Sequence, residues 1–443
     1  MFMEATVTNR PTNGAAAAEL AGQLRAVRGR LHQVIADLSS DQLMGPKLAI
    51  VNPVLWEVGH IGWFHENWTL RHSHGQAPLI DRGDRLWDSS AVAHDTRWDL
   101  DLPDHGGTLA YIDTVLQHQL DCLSRGNFPD HARYFYDLVV RHEDMHVEAL
   151  AYTRQTLGYR RPAGVATQAP RRAGAWPGDA EVPGGAWQLG STADDGFIFD
   201  NEKWAHAVAL APFRIARAPV TNREFAAFVD AGGYRAREFW SELGWAWREQ
   251  CGAERPVYWL PKSGGSWAWR RFDQTEELAP DASVVFINWY EAEAWCRWAK
   301  RRLPMEAEWE AAAIGEVTVD GHRLADRKRR WPWGEQAPTS LHANLDFAFD
   351  QPLDVADCPS GDSAFGCRQM IGNVWEWTAS DFLPFPGFAA DPYQDYSQPW
   401  FGTRKVLRGG CWATSARIAR PAYRNFFTPE RNDVFAGFRT CAL

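Results

Sequence analysis

The segment HEDMH at positions 142–146 combines the residue types and the spacing that most directly suggest chemistry. Histidines four residues apart share one face of a helix, about one turn apart, and can bind the same metal ion. Another histidine, His60, lies in the tryptophan-flanked sequence LWEVGHIGWFHENW. Three neutral imidazoles from two facing helices would hold one divalent metal and leave other coordination positions open, as a catalytic metal requires. We therefore predict a metal site at His60, His142 and His146.

The same segment also fits two other interpretations. It satisfies H-E-x-x-H, the zinc-peptidase helix motif in which the glutamate, here Glu143, acts as general base. A lone H-x-x-x-H pattern can also be a solvated helix face. The periodic run FYDLVVRHEDMHVEALAY places His142 near the apolar face of its helix, where an unpartnered histidine is costly, and this favours metal binding. Three imidazoles suit zinc, iron, nickel and copper alike, so these residues leave the identity of the metal open.

Histidine is unevenly distributed, since eleven of the fourteen histidines precede residue 150. A site built from imidazoles is therefore expected in the first third of the chain. Six of the other histidines are predicted to be solvated rather than ligands, with His94, His105 and His131 in loops. Among them, His65, His72 and His74 are expected at the surface end of the second helix.

Helical periodicity in the first third of the chain predicts the elements that would position the candidate ligands. From Ala16 onward, apolar residues recur at three- and four-residue steps and form one face. Further helices are predicted at about 52–72, 107–124 and 130–157, the last ended by Gly158. Four helices without a convincing strand pattern indicate a helix bundle, in which inward-facing histidines and carboxylates can form a metal site.

The chain is predicted to divide into a tail, a bundle, a linker and a second domain. Residues 1–15 are small and polar and are predicted to be disordered, and the bundle covers residues 16–157. Pro, Gly, Ala and Arg dominate residues 158–185, a composition typical of linkers. In residues 186–443, short strand-like segments such as WQLG and APFRIARAPV alternate with turns, and long aperiodic stretches often carry function.

Composition excludes several classes of protein. The 443 residues are 45% hydrophobic and 23% charged, as in globular proteins rather than disordered or fibrous ones. A formal net charge of −10 disfavours a nucleic-acid or anionic-membrane partner, and no apolar run approaches the roughly 18 residues of a membrane helix. Seven cysteines without a C-x-x-C pair, together with an N-terminus without a visible export signal, predict a cytoplasmic protein with free thiols.

The second domain carries aromatic motifs punctuated by glycine rather than a catalytic triad. GNVWEWT occupies residues 372–378 and VLRGGCW occupies residues 406–412. Most of these residues are expected to form core or the wall of a site. Asn425, which follows them, offers both a donor and an acceptor to a small polar ligand, and its neighbours Phe426 and Phe427 can attract a cationic group.

Taken together, these motifs resemble a known family. Through PVTNREFAAFV, INWYEAEAWCRWAKRRLPMEAEWEAAA, GNVWEWTAS, VLRGGCWA and AGFR, the second half resembles the formylglycine-generating enzymes and sulfatase-modifying factors. The first half resembles a DinB-type four-helix bundle. The pairing, over roughly residues 20–443, resembles the non-haem iron sulfoxide synthases of ergothioneine biosynthesis and their relatives. It implies an α+β fold class: an N-terminal DinB-like four-helix bundle, then a C-type-lectin-like, formylglycine-generating-enzyme-like domain rich in irregular structure.

The resemblance also implies an activity. It implies an oxidoreductase with non-haem Fe(II) held by His60, His142 and His146, and with O2 as co-substrate. The implied substrate is N-α-trimethylhistidine (hercynine), whose imidazole C2 would be joined to a sulfur or selenium donor. A trimethylammonium group requires an aromatic or hydrogen-bonding pocket, which the run 425–427 could line.

Other residues concern the catalytic group and the donor. Sulfoxide synthases of this group use a tyrosine in the loop after GNVWEWT, which makes Tyr393 and Tyr396 the candidates. Formylglycine-generating enzymes carry a reactive cysteine pair shortly after RGG, and this chain has none there, so peptide oxidation is not expected. The sequences NPVLWEVGHIGWF and YSQPWFGTRKVLRGG resemble the selenoneine synthases, which use a selenosugar. Arg97 is the candidate clamp for an acidic donor such as γ-glutamylcysteine; the choice among selenosugar, γ-glutamylcysteine and cysteine stays open.

Two alternatives to this enzyme remain. One is a zinc-dependent hydrolase that uses His142, Glu143 and His146. The other is a non-catalytic binding module, in which the bundle and the lectin-like domain recognise a partner. Bound iron with O2 consumption in the presence of hercynine would exclude the binding module.

Overall fold

The computed structural model of the chain describes residues 13–125, 131–163, 168 and 171–443. The chain forms two compact units, divided between Leu150 and Ala151. Of the predicted tail 1–15, residues 1–12 lie outside the described residues, and residues 13–15 belong to the first helix. Within the described ranges, no helix is both long enough and apolar enough to cross a bilayer.

The first unit is built from helices. Its elements are α1 (Asn13–Ile35), α2 (Ser40–Met44), α3 (Val54–His65), which continues as a π-helix (Glu66–Ser73), α4 (Gly83–Trp87), α5 (His105–Ser124) and most of α6 (Ala132–Leu157), whose last seven residues belong to the second unit. The long helices α1, α3, α5 and α6 confirm the predicted helix bundle. The second predicted helix, 52–72, is in fact an α-helix followed by a π-helical segment.

Helix α3 lies in the interior of this unit, because every one of its 12 residues is buried. Its polar side chains Glu57, His60 and His65 are therefore removed from water. A buried polar or charged group is costly unless it has a partner, so each of these residues must be bonded inside the bundle. The candidate ligand His60 is therefore expected to have hydrogen-bonding partners inside the bundle.

The second unit combines small sheets with short helices. Its strands are β1 (Asp179–Val182), β2 (Gly185–Leu189), β3 (His206–Leu210), β4 (Phe213–Ala216), β5 (Trp259–Pro261), β6 (Trp267–Arg271), β7 (Gln274–Glu277), β8 (Arg301–Arg302), β9 (Trp375–Asp381), β10 (Lys405–Arg408), β11 (Asn425–Phe427), β12 (Ala436–Gly437) and β13 (Cys441–Ala442), and its helices are α7 (Asn222–Asp230), α8 (Glu242–Cys251), α9 (Trp289–Trp298) and α10 (Glu306–Ile314). Two four-stranded sheets have the strand orders β1-β4-β13-β8 and β11-β10-β9-β12. The smaller sheets are β2-β3 and β5-β6-β7. The fold class is α+β, as predicted.

Strand β1 lies inside the segment 158–185, which has the composition of a linker. It pairs antiparallel with β4, with Ala180 opposite Ile215. Part of the predicted linker is thus a strand of the second unit. The stretch 232–283, where no periodicity is visible in the sequence, contains α8 and the three-stranded sheet β5-β6-β7.

Arginines of the motifs in the second unit are buried in ion pairs. Arg408 of VLRGG donates to Glu306 and to Glu310, each at 2.6 Å. Arg439 of AGFR donates through Nε to Glu376 of GNVWEWT at 2.8 Å. Removing one partner of a buried ion pair typically destabilises a protein by about 3–5 kcal/mol, because the other charge is left buried and unpaired. The fold of the unit therefore requires both members of each of these pairs.

Glu291 of α9 makes the stability of the second unit depend on pH. Burial raises the pKa of its carboxyl from 4.5 to about 7, although hydrogen bonds from the Tyr234 hydroxyl and the Asn288 amide lower it. The folded chain therefore binds this proton more tightly than the unfolded chain. The contribution to the unfolding free energy is greatest below pH 4.5 and is lost as the pH rises through about 7.

The unfolding free energy of the wild type should fall as the pH rises from 5 to 8, because Glu291 ionises only at a cost. In Glu291→Gln, which cannot ionise there, we expect this fall to be smaller by about 2–3 kcal/mol. Thermal unfolding followed by circular dichroism at a series of pH values measures this difference. Glu293→Gln is the control on the same helix, since its carboxylate is partly exposed and paired with Arg297 at 2.8 Å. Identical pH profiles for wild type and Glu291→Gln would contradict the prediction.

Candidate metal centre

The three predicted histidines come together inside the first unit. His60 belongs to α3, whereas His142 and His146 lie one turn apart on α6. One ligand nitrogen from each lies within 4.8 Å of the others. The Nε2 atoms of His142 and His146 are 3.2 Å apart. Two nitrogens bound about 2.1 Å from one ion, at right or tetrahedral angles, are separated by roughly 3.0–3.4 Å, so the spacing fits two ligands of a single metal.

Two of the rings are oriented by hydrogen bonds at their outer nitrogens. His60 Nδ1 donates to the Trp87 carbonyl at 2.8 Å, and His146 Nδ1 donates to Glu57 Oε1 at 2.8 Å. Since a carbonyl only accepts, His60 carries its proton on Nδ1 and keeps the lone pair of Nε2 for a metal. Trp87 can lie this close because Gly59 has no side chain; a Cβ there would stand 2.2 Å from the indole nitrogen of Trp87.

The protonation state of the buried histidines also fits a metal. Burial, together with the neighbouring His146, lowers the pKa of His60 to about 3. Burial and the other two imidazoles hold the pKa of His142 well below its usual range. Only a neutral imidazole binds a metal, so these ligands need not lose a proton at neutral pH before binding. The donor set fits a divalent transition metal.

Aromatic side chains form the walls of the cluster. The Trp56 indole is nearly parallel to the His60 ring, with centroids 5.1 Å apart. The Phe64 ring stacks on His142 with centroids 3.6 Å apart. Trp56 is held in turn by a hydrogen bond from its Nε1 to the Leu86 carbonyl at 2.6 Å. These walls limit the access of water and restrict rotation of the imidazoles.

Glu143 serves a different purpose from the one that the H-E-x-x-H motif suggests. Its carboxylate accepts from Arg28 Nε at 2.8 Å and lies 3.0 Å from His65 Nε2. Burial alone would raise the pKa of this carboxyl, but Arg28 and His65 lower it to about 2. Glu143 is therefore a buried anion bonded away from the three histidines. The expectation that His65 is solvated was wrong, because its side chain is 1% exposed and pairs with Glu143.

Arg97, the predicted clamp for an acidic donor, is bonded within the first unit. Only 9% of the residue is exposed. Nη1 donates to Asn52 Oδ1 at 2.7 Å, and Nη2 donates to the carbonyls of Ser89 and Val92 at 3.3 and 3.1 Å. Its guanidinium also lies over the Trp56 ring, 3.8 Å from the centroid. The Arg97 guanidinium is thus occupied by hydrogen bonds to protein oxygens and by its contact with the Trp56 ring.

The two candidate catalytic tyrosines lie in the second unit. Tyr393 precedes a short 3-10 helix that ends at Tyr396, and their rings are 6.0 Å apart. The Tyr396 ring stacks on Phe199 with centroids 4.3 Å apart. Burial and the nearby Tyr423 hydroxyl hold the pKa of Tyr396 well above its usual range. Tyr396 therefore stays protonated at neutral pH, and the catalytic role of either tyrosine stays a prediction.

The candidate substrate-binding residues form strand β11 of the same unit. All three are half-buried. Phe426 stacks on Phe382 with centroids 4.0 Å apart, and the Arg431 guanidinium lies 5.1 Å from the centroid of the Phe427 ring. The Asn425 side chain accepts a hydrogen bond from the Phe426 amide at 2.8 Å. Their role in substrate binding stays a prediction.

Sequence reasoning missed the groups that orient the ligands. Glu57 lies three residues before His60, and a lone acidic residue in such an apolar helix is a signal that could have revealed it. The Trp87 carbonyl is a backbone group, for which the sequence has no signal. Both are contacts of the kind that fix the tautomer and orientation of metal-binding histidines.

The fold and the site define a protein of two domains, in which a DinB bundle carrying a three-histidine cluster is followed by a sulfatase-modifying-factor domain. Residues 23–153 match the DinB superfamily, and residues 164–442 match the sulfatase-modifying factor enzyme 1-like domain. The chain belongs to the family of ergothioneine sulfoxide synthases, which includes the hercynine oxygenases.

Similarity to the hercynine oxygenases extends over nearly the whole chain. The hercynine oxygenase of Mycolicibacterium thermoresistibile is 38% identical over 95% of this chain and 94% of its own length. That of Mycobacterium tuberculosis is 37% identical over 95% of this chain and 98% of its own. The formylglycine-generating enzyme of Streptomyces coelicolor is 32% identical over 60% of this chain and 88% of its own. The similarity to the hercynine oxygenases thus includes both units.

Proposed function

We propose that this chain is an Fe(II)- and O2-dependent enzyme that joins imidazole C2 of hercynine to a selenium or sulfur donor. The observation that carries the proposal is the three-histidine cluster, with His60 and His142 buried and His146 partly exposed, in a chain similar to hercynine oxygenases along both units. Joining a C–H carbon to an Se–H or S–H group releases two hydrogens, which one oxygen atom of O2 takes up as water. The mass of the product in the assay described below will show whether the second oxygen atom is retained in the product.

His60, His142 and His146 would hold the iron, which supplies the activation of O2 when it is bound. The protein's contribution is to keep the His60 and His142 imidazoles neutral and to fix the orientation of the His60 and His146 rings. Three protein ligands leave coordination positions for exogenous molecules. The aromatic walls limit the access of bulk water, which favours productive consumption of O2 over side reactions.

The bonding of Arg97 supports a selenosugar as the donor. A dicarboxylate such as γ-glutamylcysteine requires cationic groups, and Arg97, the candidate for that role, already donates to Asn52 and to two carbonyls. A neutral sugar does not require cationic side chains for its binding. We therefore place the selenosugar first among the donors to be tested.

The surroundings of Glu143 count against the alternative, a zinc-dependent hydrolase. A general base must reach the water that it activates, and it works best with a pKa near the operating pH. Glu143 is bonded to Arg28 and His65, and its pKa is lowered to about 2. A carboxylate in that position is a poor base.

The proposal is tested with protein reconstituted anaerobically with Fe(II) and supplied with hercynine. Selenosugar, γ-glutamylcysteine and cysteine are offered in parallel, O2 is admitted, and the products are analysed by mass spectrometry. We expect an adduct of hercynine containing selenium or sulfur, formed only when iron and O2 are both present. If none of the three donors gives an adduct although the protein holds stoichiometric iron, the proposal is overturned.

A further inference from the structure

Arg97 is connected to His60 through stacked rings. Its guanidinium lies 3.8 Å from the centroid of the Trp56 ring. The Trp56 ring is in turn nearly parallel to His60, with planes 6° apart and centroids 5.1 Å apart. A cation over an indole is attracted by the electron-rich face of the ring. Arg97 therefore fixes the plane of the indole on which His60 stacks.

Arg97 is also connected to His146, through a chain of hydrogen bonds. Its Nη1 donates to Asn52 Oδ1 at 2.7 Å, and Asn52 Nδ2 donates to Glu57 Oε2 at 3.4 Å. The other oxygen of Glu57 accepts from His146 Nδ1 at 2.8 Å. Arg97 is thus connected, through one intervening ring and through one chain of hydrogen bonds, to histidines on two different helices.

The same contacts leave little of Arg97 for an acidic ligand. A carboxylate bound in the bidentate manner needs two parallel N–H groups along one edge of the guanidinium. Nη2 belongs to both edges that carry two N–H groups, and it already donates to the carbonyls of Ser89 and Val92. Nη1 donates to Asn52, and Nε is the guanidinium nitrogen without a partner in the described part of the chain.

We infer that Arg97 is a positioning residue of the metal centre rather than a clamp for the donor. It holds the Trp56 ring against His60 and, through Asn52, keeps the Glu57 carboxylate directed at His146. The guanidinium also interacts electrostatically with the buried Glu57 carboxyl group. This inference rests on the proposed metal site but is independent of the identity of the donor.

The test measures metal binding without any substrate. Metal-free full-length chain is titrated with Co(II), whose visible absorption reports the ligand geometry, and affinity is obtained by competition with a chelator. We expect Arg97→Met to weaken Co(II) binding about 10–100-fold, as loss of an outer partner does, and to shift the absorption bands. Arg97→Lys, which retains the charge but not the planar stack, should fall between wild type and Arg97→Met.

Arg85→Met is the matched control, because Arg85 is an exposed arginine on α4, and it should bind Co(II) as the wild type does. Thermal unfolding of each variant separates loss of fold from loss of orientation. If Arg97→Met does not fold, Asn52→Leu interrupts the hydrogen-bonded chain alone. It should weaken Co(II) binding and add nothing further when combined with Glu57→Gln.

The two interpretations of Arg97 predict opposite patterns. Unchanged Co(II) affinity and absorption in Arg97→Met, with a raised KM for the donor alone, would overturn the inference in favour of a clamp. A wild-type chain that binds no Co(II) would overturn the proposed metal site, and the inference with it. Weakened binding and a shifted spectrum in a folded variant support the positioning role.

Discussion

Replacing His142 with alanine is expected to abolish both metal binding and turnover. His142 provides one of the three clustered nitrogens, and its Nε2 lies 3.2 Å from that of His146. Loss of a contact that merely orients a metal ligand weakens affinity about 10–100-fold, and loss of the ligand itself should exceed this. Metal content after reconstitution with Fe(II), and O2 consumption with hercynine and a donor, measure the two effects.

The matched control is His131→Ala, because His131 is an exposed histidine that directly precedes the same helix. It should retain iron and turnover. Removal of His142 also leaves a space beside the stacked Phe64 ring, so the folded state of each variant is checked by circular dichroism. A His142→Ala variant that holds stoichiometric iron and turns over at the wild-type rate would disprove the proposed ligand set.

The candidate ligands could be predicted because their signal is local. The spacing of His142 and His146 places them on one helix face, whatever the rest of the fold. His60 is distant in sequence, and it was found through its residue type and its apolar surroundings. The partners of these histidines depend on the tertiary structure. The Trp87 carbonyl reaches His60 only because α3 and α4 pack closely at Gly59.

The role of Glu143 could not be derived from the motif that contains it. H-E-x-x-H fixes its position in sequence, but the residue after a histidine lies about 100° further round the helix. Which group it meets there depends on α1 and α3, which provide Arg28 and His65. The same pattern therefore serves a catalytic base in one fold and a buried ion pair in another.

The two units differ in how much of their structure could be predicted. Long amphipathic helices have a periodicity that is visible in the sequence, and the bundle was found from it. The strands of the second unit are short, and their partners are distant. Cys441 pairs with Ile215 on one side and with Arg302 on the other. Pairings at such separations leave no local pattern, so residues 158–185 had the composition of a linker although β1 lies among them.

Replacing Glu143 with glutamine is expected to lower the unfolding free energy of the first unit by about 3 kcal/mol, at the lower end of the range for breaking a buried ion pair. Glutamine has the same shape, but it leaves the Arg28 guanidinium, whose side chain is 3% exposed, without its buried counter-charge. Urea unfolding of the metal-free chain, followed by the helical circular dichroism signal, measures the change.

Asp113→Asn provides the control, because Asp113 also lies near Arg28, at 3.8 Å, but its side chain is 51% exposed. An exposed pair contributes about 0–1 kcal/mol, so this variant should be nearly as stable as the wild type. Iron-loaded Glu143→Gln should retain turnover within a few-fold at temperatures where it is folded, since the carboxylate is bonded away from the histidines. The hydrolase interpretation requires the opposite: unchanged stability, bound metal and no activity. That outcome would assign Glu143 to the reacting water rather than to Arg28.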